Sequence, residues 1–212
     1  MESDGDHRIT QKETDDMDIR KSLIRVDDCV LVIIDVQDHF LARLPPQRTE
    51  LLIDHVGWLI EVAKILNVPM VATVEEAARY SGLTAVLAEK LPPDAKVLDK
   101  TVYGLADQPD ILDEVRKTGR RTAVLVGMET DVCVTHSALG LLQNGFLVAV
   151  LDDVTDSPGD AHAYGLERMR GAGALVMSLK SLYYEWIRTP SMSNTMDDEH
   201  LKRIGHPKGI IL

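Results

Sequence analysis

Six short apolar runs recur along the chain, and their spacing constrains the fold more than any other feature. They are "CVLVIID" (29–35), "VPMVATV" (68–74), "AKVLD" (95–99), "RTAVLVG" (121–127), "FLVAVLDDV" (146–154) and "GALVMS" (173–178). The runs are rich in β-branched residues and lack the alternation of a half-exposed strand. This is the pattern of strands buried on both faces of a parallel sheet. Helical patterns separate them. In "RTELLIDHVGWLIEVAKILN", Leu51, Leu52, His55, Val56, Leu59, Ile60 and Ala63 fall near one face. "QPDILDEVRKTG" has Pro109 near its start and Gly119 past its end, the usual helix asymmetry. "TDVCVTHSALGLLQNG" and "DAHAYGLERMRGAG" both close on glycine. Strand and helix therefore alternate, which predicts an α/β fold with helices on both faces of a parallel sheet.

The chain has 212 residues, 45% of them hydrophobic, enough for one well-buried domain. Aromatic residues make up 4%, so the core is expected to be aliphatic. Residues 1–22 are polar and rich in both charge signs and read as a flexible arm. Residues 23–190 form the domain, and 191–212 read as an irregular tail apart from "GIIL". A net charge of -11 lacks the basic footprint of a general nucleic-acid binder. No apolar run approaches the roughly 20 residues of a membrane span, and the charged start does not resemble a secretory signal. Two cysteines form no disulfide framework, so a reducing cytoplasm and two free thiols are expected.

In open α/β sheets, ligands bind beyond the carboxyl ends of the strands. Three reactive side chains follow apolar runs there. Asp35 ends the first run, Lys100 follows the third, and Cys133 follows the fourth after a short turn. With Thr130 or Asp131 as helix N-cap, Cys133 falls in the first turn, where the helix dipole favours an anion. That setting, with a cation nearby, is expected to lower the thiol pKa. Each residue also has an ordinary reading: a buried thiol, a turn aspartate, a surface lysine. Together they form an activated-nucleophile constellation, with Asp35 as general base and Lys100 steadying both anions. Cys29 begins a core strand and reads as structural. Glu75 and Glu76 could contact a divalent ion, but two exposed glutamates read more simply as solvated.

These segments resemble the isochorismatase-like cysteine hydrolase superfamily. "IIDVQDHF" matches its D-x-Q-x-x-F opening with Asp35, Gln37 and Phe40. "VGMETDVCVTHSALGLLQNGF" matches its cysteine segment, and "VAVLDDVTDS" and "ERMRGAGALVMS" resemble later family segments. The resemblance covers about residues 28–188. It implies a Rossmann-like three-layer fold with a six-stranded parallel sheet, and a triad of Cys133 (nucleophile), Asp35 (general base) and Lys100. It also implies a cis peptide between Met128 and Glu129, with the N–H groups of Glu129 and Cys133 aimed at an oxyanion. Tyr80, Tyr103, Leu105 and His136, with Gln37 and Phe40, are the expected substrate contacts.

Nicotinamidases of this superfamily bind a metal through histidines after the second strand. "VATVEEAARYSGLTAVL" contains none, so neither a metal nor another cofactor is expected. The cysteine, which isochorismatases often lack, favours hydrolysis of a C–N bond in a small amide, ureido or carbamoyl substrate. The alternatives are vinyl ether hydrolysis and a catalytically idle scaffold. Family members are commonly oligomeric, which implies a homo-oligomer, a dimer or tetramer.

Overall fold

The computed structural model describes residues 19–212. Most of the expected N-terminal arm lies outside the described residues; Ile19, within it, is buried in the core. Six strands form one sheet, all parallel, in the order β3-β2-β1-β4-β5-β6. They are β1 (Cys29–Ile34), β2 (Met70–Glu75), β3 (Lys96–Lys100), β4 (Thr122–Met128), β5 (Leu147–Asp156) and β6 (Leu175–Met177). The main helices are α1 (Pro46–Ile65), α2 (Pro109–Lys117), α3 (Thr135–Gln143), α4 (Ala161–Gly171), α5 (Leu179–Ile187) and α6 (Pro190–Thr195). None of the described helices is long and apolar enough to cross a membrane.

Strand β1 shows how the layers form. All six of its side chains are fully buried, and strand alternation sends them to opposite faces. Cys29, Leu31 and Ile33 join the core that includes Val56, Leu59 and Ile60 of α1 and Leu182 and Trp186 of α5. Val30, Val32 and Ile34 join the core of Ile111 and Val115 from α2, Ala138 and Leu141 from α3, and Met169 from α4. This is the expected three-layer sandwich.

Three expectations change. The outer runs are not buried on both faces, because β3 and β6 are edge strands; Val97 is 44% exposed. In α1, Leu51 turns outward, while Trp58 and Val62 face inward with the other apolar residues. The tail is helical over 190–204 and packs onto the core through Met196 and Leu201. Trp58 Nε1 donates to the Gly205 carbonyl at 3.0 Å. Both His55 ring nitrogens lie 2.8 Å from carbonyl oxygens, of Asp153 in β5 and Lys208 in the tail.

Candidate active site

The order of the strands reverses between β1 and β4, and a crevice at such a point is where open α/β sheets bind ligands. Two local devices shape it. Asp35 follows β1 with φ +50, and its N–H donates to the Thr73 carbonyl of β2. Gly127 in β4 has φ +114, and a Cβ there would sit 2.0 Å from the Ile34 carbonyl oxygen. Only glycine fits that approach. After it comes the Met128–Glu129 peptide, which is cis, as the resemblance implies. A single wide helical turn, Thr130–Val134, then carries Cys133 into α3; such π turns recur at functional sites.

The expected caps do other work. Glu129 occupies the cap position. Thr130 Oγ1 lies 2.9 Å from His162 Nδ1 of α4, and Asp131 Oδ1 accepts from Ser157 Oγ at 2.7 Å. These contacts fasten the turn to α4 and to the end of β5. Gly165 of α4 packs so closely that a Cβ would meet Asp131 and Thr130 backbone atoms at 2.8 Å.

The structure brings Asp35, Lys100 and Cys133 together. Lys100 is fully buried, the opposite of a surface lysine. Its Nζ lies 2.7 Å from Asp35 Oδ2 and 3.5 Å from Cys133 Sγ, and donates to the Val102 carbonyl at 3.0 Å. Thr73 Oγ1 donates to Asp35 Oδ1 at 2.9 Å. Glu75, read from sequence as solvated, joins them: the Cys133 thiol donates to its Oε2 at 3.2 Å, and Lys100 Nζ lies 3.3 Å from the same oxygen. Glu75 pairs with Lys100 in the β2–β3 register. The rule that picked out Asp35 and Lys100, a reactive side chain closing an apolar run, applies equally to "VATVE" and would have found it.

The electrostatics differ from expectation. Burial pushes the Cys133 thiol above its usual range, the Asp35 charge adds to the effect, and Lys100 only partly opposes it. The resting group is therefore a neutral thiol, and the expected lowered pKa is corrected. Burial also raises the Asp35 carboxyl, against the pull of Lys100. Burial disfavours the Lys100 ammonium, but Asp35, Cys133 and Glu75 outweigh it and raise its pKa. Ligand atoms of Asp35, Glu75 and Cys133 lie within 4.8 Å of one another, a spacing open to a metal ion. The Lys100 ammonium lies within 3.5 Å of an atom of each and supplies the positive charge there.

A cavity of about 250 Å³ opens onto Cys133 and Asp35. Phe40, Tyr80 and Tyr103 line it, together with Met128 and Glu129. Arg43 and Val132 also line it, unremarked in the sequence. Arg43 donates to Glu129 Oε1 at 2.9 Å and lies over the Phe40 ring. Three expected contacts are not on the wall. Gln37 is fully buried and its amide grips backbone: Nε2 donates to the Glu75 and Ser81 carbonyls, and Oε1 accepts from Glu75 N–H. Leu105 is buried in the core beneath α2 and α3. His136 is exposed, with its ring against the edge of Tyr103.

A family model described as the isochorismatase domain matches residues 29–181. The secreted isochorismatase effector Isc1 of Phytophthora sojae is 31% identical over 165 residues, 74% of this chain and 75% of that protein. Among solved structures, the MAR1 ribonuclease from Caenorhabditis elegans superposes with a TM-score of 0.76 at 22% identity, over 90% of this chain and 98% of that one. The YcaC gene product of Escherichia coli, described as an octameric hydrolase of unknown specificity, gives 0.72 at 23% identity, over 82% and 95%. At these identities the two structures speak to the fold.

Proposed function

Because the chain belongs to the isochorismatase family of hydrolases, we propose that it is a cysteine hydrolase that cleaves a C–N bond of a small amide, ureido or carbamoyl compound. The observation that carries this reading is the burial of Lys100 within 3.5 Å of both Asp35 and Cys133, two residues that line one cavity. A lysine is almost never fully buried unless it is paired.

The chemistry runs from a neutral ground state. Asp35, whose raised pKa makes it a competent proton acceptor, takes the thiol proton as Sγ attacks the substrate carbonyl. Lys100 holds the charge balance while the negative charge moves. The N–H groups of Glu129 and Cys133 receive the oxyanion; the Glu129 carbonyl accepts from Val132 and Val134, on either side of Cys133. Asp35 then protonates the leaving nitrogen, and water releases the acyl group. Phe40, Tyr80 and Tyr103 supply an aromatic wall sized for a small substrate. The net charge of -11 disfavours a polyanionic substrate such as RNA. Self-association belongs to this reading, since the similar YcaC protein is described as octameric; light scattering on the purified chain measures it.

A panel of small amides, ureas and carbamoyl compounds tests the function. Turnover of at least one is expected in the wild type, with none in Cys133→Ala at an unchanged melting temperature. Equal turnover in Cys133→Ala would remove the cysteine mechanism.

A further inference from the structure

Glu75 has no part in the three-residue scheme, yet it is built into the site. Its backbone N–H and carbonyl are both clamped by the buried Gln37 amide, at 2.7 and 3.0 Å. Its carboxylate accepts from the Cys133 thiol at 3.2 Å and faces Lys100 at 3.3 Å. Lys100 already has a closer counter-ion in Asp35, at 2.7 Å, so ion pairing alone does not account for a second carboxylate.

The two carboxylates differ in what they can reach. The Asp35 side chain is 1% exposed; Oδ1 accepts from Thr73 at 2.9 Å, and Oδ2 is ion-paired with Lys100 at 2.7 Å. The Glu75 side chain is 14% exposed and lines the cavity. Both of its contacts fall on Oε2, and Oε1 has no partner among the described residues. A proton passing between the thiol and the leaving group suits the buried carboxylate. A water arriving from the cavity meets the exposed one.

We propose that Glu75 is the general base of the second half-reaction, activating the water that hydrolyses the acyl group from Cys133. The inference rests on the acyl-enzyme of the proposed function. Glu75 takes one proton from water as the water oxygen bonds to the thioester carbonyl carbon, and the carbonyl electron pair moves onto its oxygen. When the pair returns, the C–S bond breaks and Sγ leaves as thiolate. The proton on Glu75 passes to Sγ along the 3.2 Å contact, which restores the thiol and the carboxylate. Thioester and water become carboxylic acid and thiol. Asp35 serves the first half and Glu75 the second.

p-Nitrophenyl acetate separates the two halves without knowledge of the natural substrate. Release of nitrophenolate in a stopped-flow burst times acetylation, and mass spectrometry of the quenched protein times loss of the acetyl group from Cys133. In Glu75→Gln, acetylation is expected to be unchanged or faster, because a negative group beside the thiol has been removed. Deacetylation is expected to slow by roughly a hundredfold or more, the usual worth of a positioned base. Glu75→Asp, which keeps a carboxylate but withdraws it by one methylene, recovers part of that loss. Deacetylation at the wild-type rate in Glu75→Gln would overturn the proposal. So would an equal fall in both halves, the sign of a merely positioning group. If wild-type Cys133 takes no acetyl group, the cysteine reading itself falls, an outcome distinct from acetyl that forms and leaves unaided by Glu75.

Discussion

Lys100 carries its ammonium into a fully buried site and meets Asp35 at 2.7 Å, Glu75 at 3.3 Å and Cys133 Sγ at 3.5 Å. Removing one partner of a buried pair leaves the other charge uncompensated, at a cost of about 3–5 kcal/mol. Lys100→Met is therefore expected to lose both turnover and stability. The stability loss should depend on pH. Burial raises the Asp35 carboxyl above 3.8, so the fold favours its protonated form more than the unfolded chain does. The stability linked to that proton is fully present below 3.8 and is lost as pH rises through the folded value. Lys100 limits this loss by holding the Asp35 pKa down, so its removal widens the window. Urea midpoints measured at about pH 5 and about pH 8 should show the larger deficit at the higher pH. An equal deficit at both would mean that Asp35 does not carry the missing charge.

At the scale of elements, the turn over 130–134 is held from outside as much as by its own hydrogen bonds. Gly165→Ala would press a methyl group against Thr130 and Asp131 backbone at 2.8 Å, where nothing flexible can yield. We expect a loss of about 1–3 kcal/mol and slower acetylation of Cys133 by p-nitrophenyl acetate, because the turn that aims Sγ must shift. Wild-type acetylation in that variant would show that the turn tolerates displacement. This fastening was not legible in the sequence. Thr130 and Asp131 read as caps because local rules see only local donors; their partners, His162 and Ser157, lie about 30 residues away. The strands and the ends that carry Asp35, Lys100 and Cys133 were legible, because burial on both faces writes itself into composition and the sheet topology gathers strand ends. Glu75 reads as solvated in the sequence although it obeys the same rule. Gln37 was noticed in a motif, but its work on the Glu75 backbone depends on a contact 38 residues away.

At the scale of the whole molecule, the C-terminal segment completes the core on the face of α1. The sequence reads it as irregular because "SMSNTMDDEHLKRIG" is polar on average, and its few apolar residues acquire meaning only against α1 and α5. Met196 and Leu201 are buried, at about 1.5–3 kcal/mol each. Truncation after Thr195 is expected to cost roughly 3–6 kcal/mol and to expose Trp58, visible as a lower urea midpoint and a red-shifted fluorescence. An unchanged midpoint would show the segment to be dispensable. The proposed chemistry is likewise a property of the assembled sheet, since it draws on side chains gathered from the ends of four strands. Its most direct test is the rate of alkylation of Cys133 against pH, read by mass spectrometry in wild type and in Asp35→Asn. Cys29, whose thiol burial pushes up to about 12, serves as internal reference. The Asp35 charge raises the Cys133 pKa, so its removal should move the Cys133 profile to lower pH, with Cys29 unmoved, while turnover is lost. A Cys133 profile identical in the two proteins would contradict the shared proton and leave the thiol a packing residue.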